Sequence, residues 1–136
     1  MNWRLVVVAV IEKGDYVLFG EKPAGKGPYP DTIHIPGGGM DPEKESIEEA
    51  VRREVLEETG LEITDLKKLD FDEDYEPNKH KEMTHYIYLT FTAKYKSGVL
   101  TAKDDIARLM WVKKSDIKKL KLNRASVKTF KKLDYI

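Results

Sequence analysis

The sequence contains no cysteine and no excess charge of either sign. Of its 136 residues, 24 are Lys or Arg and 24 are Asp or Glu, so the formal net charge is zero. The absence of cysteine excludes disulfides, thiol nucleophiles and thiolate metal sites. The balanced charge provides no global basic field for nucleic acid, so we expect no stable nucleic-acid binding and only local recognition of phosphate.

Long apolar runs are also absent. The apolar run at residues 6–11 is too short to span a bilayer, and the charged residues Glu12 and Lys13 follow it at once. We therefore expect neither a signal peptide nor a membrane partner, and we expect a cytoplasmic location. The length suits one hydrophobic core, which predicts a single domain over residues 1–136.

Hydrophobic periodicity outlines the secondary structure. Apolar or alternating segments predict strands at residues 3–12, 16–20, 33–36, 61–71, 83–93 and 107–112. The polar segment 70–81 is predicted to be a solvated edge that leads to a hairpin tip. Ser115 is predicted to cap a short helix through residue 120, and Asn123 a last helix to about residue 133.

Residues 46–60 carry every local signal of a helix. Ser46 is a favourable N-cap, and Glu49 three residues later completes a capping box. Gly60 stands where a helix commonly ends in a left-handed conformation. We therefore predict a helix that begins after Ser46 and ends before Gly60.

The apolar face of this helix turns acidic towards its end. A buried stripe that begins at Ile47 and Val51 would continue through three positions that hold Glu54, Glu57 and Glu58. Carboxylates at these spacings repel one another and oppose the helix dipole. A solvated acidic helix end is one interpretation. The other is a hard divalent cation, Mg²⁺ or Mn²⁺, which oxygen ligands without Cys or His would suit.

Residues 39–61 resemble the Nudix box. Its pattern is Gly, five residues, Glu, seven residues, then Arg-Glu-apolar-any-Glu-Glu-any-Gly-apolar. Every fixed position is matched, by Gly39, Glu45, Arg53, Glu54, Val55, Glu57, Glu58, Gly60 and Leu61. The resemblance to Nudix hydrolases implies an α/β (α+β) fold, an α/β/α sandwich with a mixed β-sheet. It also implies hydrolysis of a nucleoside diphosphate linked to another group, in which water attacks phosphorus while divalent metals hold the pyrophosphate oxygens.

The resemblance also implies roles for residues of the box. Glu54, Glu57 and Glu58 would be metal ligands, together with the backbone carbonyl of Gly39. Glu54 or Glu57 would deprotonate or orient the attacking water, and the resemblance leaves open which of the two does so. Magnesium is the expected ion, with manganese possible.

Further site residues are predicted inside and outside the box. Glu45 and Arg53 would support the acidic helix through a salt bridge rather than take part in the chemistry. Relatives commonly supply one more acid from the loop before a Trp-bearing strand, which points here to Asp105 first and Asp104 second, ahead of Trp111. The alternative interpretation of those two acids is a solvated acidic turn.

Three residues are predicted to bind substrate. Arg4 enters the first strand and is placed to point at a ligand. Lys26 and Tyr29 lie in a loop rich in Gly and Pro at residues 23–30. They would supply a charge for phosphate or a stacking face for a base, unless the loop is an ordinary surface loop.

Segments of the C-terminal half resemble one group of proteins within the Nudix family. Residues 85–91, 111–112 and 122–130 are similar to bacterial, MutT-like Nudix nucleoside triphosphatases that favour pyrimidine deoxynucleotides. We therefore predict a Mg²⁺-dependent pyrophosphohydrolase of (deoxy)nucleoside triphosphates that releases the monophosphate and pyrophosphate. Two alternatives stay open: a nucleotide-sugar, ADP-ribose or dinucleoside polyphosphate hydrolase, and a non-catalytic nucleotide sensor. The expected partner is a small-molecule nucleotide, bound by a monomer or homodimer.

Overall fold

The computed structural model of the chain describes residues 1–23, 29, 31–102 and 106–136. Within these ranges the elements in chain order are β1 (Asn2–Lys13), β2 (Tyr16–Glu21), β3 (Ile33–His34), β4 (Gly37–Gly39), α1 (Ile47–Thr59), β5 (Leu61–Pro77), β6 (Met83–Gly98), β7 (Arg108–Lys113), a 3₁₀ helix (Lys114–Lys119) and α2 (Arg124–Lys132). No helix in the described part of the chain is long and apolar enough to cross a membrane.

Strand β1 is the centre of the sheet. The strand order is β3-β2-β1-β6-β5, with β4 also paired to β1 and β7 to β2. β1 and β6 run parallel from Asn2↔Thr84 to Glu12↔Lys94, whereas the other named strand pairs are antiparallel. The apolar run in β1 follows from this position, because a strand paired on both edges and covered on both faces is almost continuously hydrophobic.

One helical layer covers each face of this mixed sheet. The α1 side joins sheet residues Val7, Ala9, Ile11 and Leu18 to helix residues Ala50, Val51 and Val55. The α2 side joins Val10, Val17 and Phe19 to Ile117 of the 3₁₀ helix and Phe130 of α2. The predicted α/β/α sandwich with a mixed β-sheet is therefore confirmed.

Several predicted boundaries were wrong. The strand predicted to end at residue 71 continues to Pro77. The acidic stretch after residue 70, predicted as a solvated edge, is thus the second half of the edge strand β5 and stays paired with β6 as far as Pro77↔Met83. Ser115 does not cap an α-helix, because the segment is a 3₁₀ helix that already begins at Lys114. Asn123 does cap α2, since its side chain accepts a hydrogen bond from the backbone N–H of Ser126 at 2.7 Å.

Helix α2 is joined to β5 by a row of ion pairs, which we call the α2–β5 ladder. Its pairs are Arg124–Asp74 at 2.7 Å, Arg124–Glu76 at 3.2 Å, Lys128–Asp72 at 3.3 Å and Lys132–Asp70 at 3.1 Å. Four residues of helix rise about 6 Å and two residues of strand about 6.6 Å, so the two spacings match. The ladder fixes α2 above the edge strand and thereby forms one wall of the cleft described below.

Candidate active site

Both predicted ends of α1 are present. The backbone N–H of Glu49 donates to Ser46 Oγ at 3.2 Å, and the backbone N–H of Ser46 donates to Glu49 Oε1 at 3.0 Å. Gly60 ends the helix with φ 78°, the left-handed region that favours glycine. The predicted helix is confirmed, and its ends hold the acidic last turns in a defined place.

The predicted buried stripe of α1 was partly wrong. Ile47 is 40% exposed, and the buried face continues through Val55 and Thr59. Because those residues recur at intervals of four, the apolar stripe stays intact and the acids flank it. The Glu54 side chain is 14% exposed and that of Glu57 is 51% exposed, so the carboxylates differ greatly in contact with water.

Arg53 lies at the centre of the acidic cluster. Its Nε and Nη2 donate to the two carboxylate oxygens of Glu45, each at 2.7 Å. Its Nη1 donates to Glu54 at 2.9 Å and to Glu57 at 3.1 Å, and Nη2 also reaches the carbonyl oxygen of Gly39 at 3.2 Å. The hydrogen bond from Arg53 lowers the pKa of Glu45. One guanidinium therefore serves three carboxylates, and α1 has no basic residue in its last turn.

The glycines of β4 bring backbone against the carboxylates of α1. The N–H of Gly37 donates to Glu58 Oε1 at 2.8 Å. A Cβ at Gly38 would lie 2.3 Å from Glu54 Oε2, so a side chain there would displace the carboxylate. Burial raises the pKa of Glu54, with a smaller opposing effect from Arg53. The carboxylate of Glu54 is thus held in a place that disfavours its charge.

Arg4 meets the same glycine segment from β1. A Cβ at Gly39 would lie 2.3 Å from Arg4 Nη2, so the guanidinium occupies the space that a larger residue would fill. Gly39 pairs with Val6, two residues beyond Arg4. The structure therefore brings Arg4 next to Gly39, the residue that begins the acidic motif.

A cleft of about 740 Å³ lies over β1 and β6 and is bordered by side chains of both helices. Its floor follows the β1–β6 register through the pairs Arg4↔Tyr86, Val6↔Tyr88 and Val8↔Thr90. One end is formed by Gly37, Gly38, Gly39, Glu54 and Glu58, and the α2 wall by Asn123, Ala125, Ser126 and Thr129. A smaller depression of about 550 Å³ beside it is lined by Arg4, Gly39, Met40, Asp41, Lys44, Glu45 and Arg53.

Most predicted site residues lie in or beside the cleft. Arg4, Tyr29, Gly39, Glu54 and Glu58 line it. Arg53 and Glu45 line the adjoining depression, and Glu57 is joined to this group through Arg53. The predicted residues Lys26, Asp104 and Asp105 lie outside the described residues.

Tyr29 forms part of the cleft wall through its own contacts. Its hydroxyl donates to Asp74 Oδ2 at 2.5 Å, and the Arg124 guanidinium lies over its ring at 5.4 Å from the centroid. The residue is 6% exposed, and burial followed by the hydrogen bond to Asp74 raises the pKa of its hydroxyl. The ring is therefore anchored to the first pair of the α2–β5 ladder.

Sequence reasoning missed several cleft residues, of which His34 is the most unusual. His34 is buried, and its Nδ1 has no hydrogen-bond partner among the residues that the structure describes. Burial, assisted by the charge of Lys22, lowers the pKa of His34 to about 4, so the imidazole is neutral at pH 7. Tyr86 and Tyr88 were also missed, although their alternation in β6 and the register with β1 identify the face that they share.

The carboxylates of α1 suit a hard divalent cation. Over the described ranges, no three His, Asp or Glu side chains are already arranged as a complete metal site. However, the donors are all oxygen, Glu54 carries an incompletely compensated buried charge, and the single guanidinium of Arg53 is shared among three acids. A divalent ion beside Glu54 would supply the missing positive charge.

Comparison with known proteins identifies the family. The family model described as the NUDIX domain matches residues 2–133. The chain belongs to the Nudix family. It is 32% identical over 136 residues to the nucleoside triphosphatase NudI of Enterobacter sp. (strain 638), covering 96% of each chain. It is 31% identical over 137 residues to the nucleoside triphosphatase NudI of Escherichia coli strain K12, again covering 96% of each.

Solved structures support the same fold. The MutT NUDIX hydrolase from Burkholderia pseudomallei superposes with a TM-score of 0.82 at 21% identity, over 98% of this chain and 99% of that chain. The NUDIX domain of NrtR from Shewanella oneidensis, solved in complex with ADP ribose, gives a TM-score of 0.77 at 16% identity. The chain is thus a Nudix hydrolase, a family that generally uses divalent metal and acts on small-molecule nucleotides.

Proposed function

We propose that this Nudix hydrolase is a Mg²⁺-dependent pyrophosphohydrolase of (deoxy)nucleoside triphosphates that releases the monophosphate and pyrophosphate. The observation that carries the proposal is a cleft with an acidic, glycine-bordered end at Glu54 and Glu58 and an interior lined by Tyr86 and Tyr88. Relatives called nucleoside triphosphatase NudI, which match nearly the whole chain, support the substrate class. Manganese is expected to replace magnesium in vitro.

The acidic end provides the proposed metal ligands. Glu54, Glu57 and Glu58, with the carbonyl of Gly39, would hold Mg²⁺, and Asp105 or Asp104 would add a further carboxylate. When bound, the metal neutralises the pyrophosphate oxygens and fixes the phosphorus for in-line attack.

Either of two glutamates would orient the attacking water and accept its proton. Glu54 is the better protected from solvent, and burial raises its pKa, which makes a carboxylate a better base. Glu57 is more exposed but is held by Arg53 at 3.1 Å. Arg53 and Glu45 position these groups through the paired hydrogen bonds between them.

The remaining predicted residues would contact substrate. Arg4 lies beside Gly39, where it would bind a phosphate next to the metal. Tyr29 would border the nucleoside with one part of its anchored ring, and Lys26 is proposed as a second cation for phosphate. The tyrosine-lined floor between them would accept the base and sugar.

A substrate panel with product analysis tests the function. Purified chain with Mg²⁺ is given (deoxy)nucleoside triphosphates, nucleotide sugars, ADP-ribose and dinucleoside polyphosphates in H₂¹⁸O. We expect turnover of triphosphates with pyrophosphate as a product. The product that carries ¹⁸O identifies the phosphorus that water attacked. Preference for a capped diphosphate would favour the second alternative, and nucleotide binding without metal-dependent turnover would favour a sensor.

The proposed setting of the enzyme is a single Nudix domain in the cytoplasm. We propose a monomer or homodimer without stable contact to nucleic acid or membrane. Light scattering coupled to size-exclusion chromatography measures the oligomeric state. A larger assembly would contradict this part of the proposal.

A further inference from the structure

The turn between β5 and β6 is held by hydrogen bonds within residues 78–82. The backbone N–H of Asn78 donates to the carbonyl of Glu82 at 2.9 Å, and that of Lys81 donates back to the carbonyl of Asn78 at 2.9 Å. The Asn78 side chain accepts from the backbone N–H groups of His80 at 2.8 Å and Glu82 at 3.0 Å. The turn therefore presents its outer side chains from a fixed backbone.

One side of this turn faces the cleft. Asn78, Lys79 and His80 line the cleft, whereas Lys81 is not among its lining residues. The turn follows the pair Pro77↔Met83, next to the row in which Asn2 pairs with Thr84. Arg4 lies only two residues further along β1, so Lys79 and Arg4 belong to the same end of the cleft.

Among the described residues, Lys79 differs from Lys128 and Lys132 of α2 in having no carboxylate partner. Lys128 and Lys132 are both ion-paired to β5. By contrast, no carboxylate of the described ranges lies within ion-pair distance of Lys79. A lysine that borders a cleft without an internal partner is available for an anionic ligand.

The order of groups along the cleft assigns the parts of a nucleotide. Glu54 borders Gly38 and Arg4 borders Gly39. The turn that carries Lys79 follows the pair Pro77↔Met83, next to the row of Asn2, two residues before Arg4 on β1. Tyr86 and Tyr88 cluster with Tyr29 and Val6, and this aromatic part of the lining suits a nucleoside. The end that carries the cations Arg4 and Lys79 suits the end of a polyphosphate chain.

We propose that Lys79 binds the terminal phosphate of a nucleoside triphosphate and so favours triphosphates over diphosphate-linked substrates. This inference rests on the proposed function. A capped diphosphate has only the two phosphates that the metal end and Arg4 would hold, and it places a neutral or sugar group where Lys79 stands. The turn thereby determines the length of the phosphate chain that the cleft prefers.

Matched variants of the same turn test this inference. Lys79→Gln removes the charge that faces the cleft, and Lys81→Gln removes an equal charge that does not. We expect Lys79→Gln to raise KM for the preferred triphosphate by about 10-fold, the equivalent of one charge-assisted contact, with kcat within about 2-fold. Lys81→Gln should leave both constants within about 2-fold, and Lys79→Arg should largely restore KM.

Calorimetry supplies a readout that does not depend on turnover. Inorganic tripolyphosphate and pyrophosphate are titrated into wild type, Lys79→Gln and Lys81→Gln as their magnesium complexes. We expect only Lys79→Gln to weaken tripolyphosphate, by about 10-fold, while pyrophosphate changes by less than about 2-fold. Equal weakening of both probes, or equal behaviour of the two variants, would overturn the inference.

The two proposals fail in distinguishable ways. If the wild type hydrolyses only capped diphosphates, the proposed function is wrong. If triphosphates are hydrolysed but Lys79→Gln behaves as Lys81→Gln, only the role of Lys79 is wrong. Thermal unfolding of both variants should match that of the wild type, which shows that an altered KM does not come from a damaged fold.

Discussion

Helix α1 and strand β5 each carry a dense series of acids, and the two series differ in how many basic side chains pair with them. The acids of β5 stand two residues apart and meet Arg124, Lys128 and Lys132 of α2 in the ladder. By contrast, Glu54 and Glu57 of α1 share the single guanidinium of Arg53 with Glu45, which lies just before the helix. The ladder shows that this chain can build matched ion pairs across its tertiary structure. The surplus of negative charge at α1 therefore indicates a ligand rather than poor packing.

The pKa directions show the same contrast. In β5, the backbone N–H of Phe71 and the ammonium of Lys132 lower the pKa of Asp70. Burial opposes ionisation of Asp74, but the hydrogen bonds from Arg124 and Tyr29 outweigh it and lower its pKa. In α1, burial prevails and raises the pKa of Glu54. Charge is stabilised at the ladder and destabilised in the cleft.

The largest expected effect is on kcat, and it should differ between the acids of α1 and those of β5. Glu57→Gln should lower kcat by at least ~10²-fold, the low end for loss of acid–base assistance, because it removes a proposed metal ligand and base candidate. Asp70→Asn removes a carboxylate from the ladder, away from the cleft, and should leave kcat within about 2-fold. Steady-state assays with Mg²⁺ measure both. A change of only a few fold in Glu57→Gln would remove that residue from the site.

The increase in stability on binding metal should also distinguish the acids of α1 from those of β5. Saturating Mg²⁺ or Mn²⁺ should stabilise the wild type, by about 2.7 kcal/mol when the ion stands at 100 times its Kd. Glu54→Gln should abolish the increase in Tm because the buried carboxylate is lost. Asp70→Asn should keep it. Differential scanning fluorimetry with and without EDTA measures the shift, and an equal shift in all three proteins would place the ion elsewhere.

Without metal, the ionisation of Glu54 in α1 and that of Asp74 in β5 should change the folding stability in opposite directions. The raised pKa of Glu54 means that the folded state loses stability as pH rises from 4.5 through the raised value, so Glu54→Gln should raise Tm at pH 7. The lowered pKa of Asp74 means stability that is present above 3.8 and lost as pH falls through the lowered value. Asp74→Asn should therefore lower Tm at pH 7, by the equivalent of about 1–2 kcal/mol.

Both differences in Tm should shrink as the solution becomes acidic enough to protonate the wild-type carboxylates. Urea unfolding at several pH values, with EDTA present, checks the two slopes. A fall in stability for Glu54→Gln at pH 7 would show that its contact with Arg53 outweighs the effect of burial.

The smallest expected effect concerns a single exposed pair of the ladder. Lys128→Ala should cost about 0.2–1 kcal/mol of unfolding free energy, the usual range for surface ion pairs, and should leave kcat unchanged. A double-mutant cycle with Asp72→Ala isolates the pair, and high salt should reduce its coupling energy. A coupling energy well above this range would mean that the ladder acts as one cooperative unit.

Local signals predicted much of the α1 region, and distant partners account for what they missed. Ser46, Glu49 and Gly60 define the helix from within a few residues, so its ends were predicted correctly. The second half of β5 was missed because charged residues obscure strand periodicity. Its strand partners on β6 are close in the sequence, but Arg124 on α2, which pairs with Asp74, lies far away.

The cleft was the least predictable part of the site. His34 and Lys79 lie at its edge only because β2, β3 and the β5–β6 turn are brought together by the sheet. No short spacing in the sequence signals that arrangement. The roles of Glu54, Glu57, Glu58 and the other predicted site residues stay predictions until the variants above are measured.

The parallel pairing of β1 with β6 also determines how late in synthesis β1 can complete its strand pairing. Asn2 finds its β6 partner only when Thr84 has been made, and Glu12 finds its β6 partner only with Lys94. At about 5–20 residues per second, synthesis of the intervening ~80 residues takes roughly 4–16 s. During that interval β1 can pair with β2 and β4 and pack against α1, but it lacks its longest strand partner. A nascent chain paused before β6 is therefore expected to be a client of ribosome-associated chaperones.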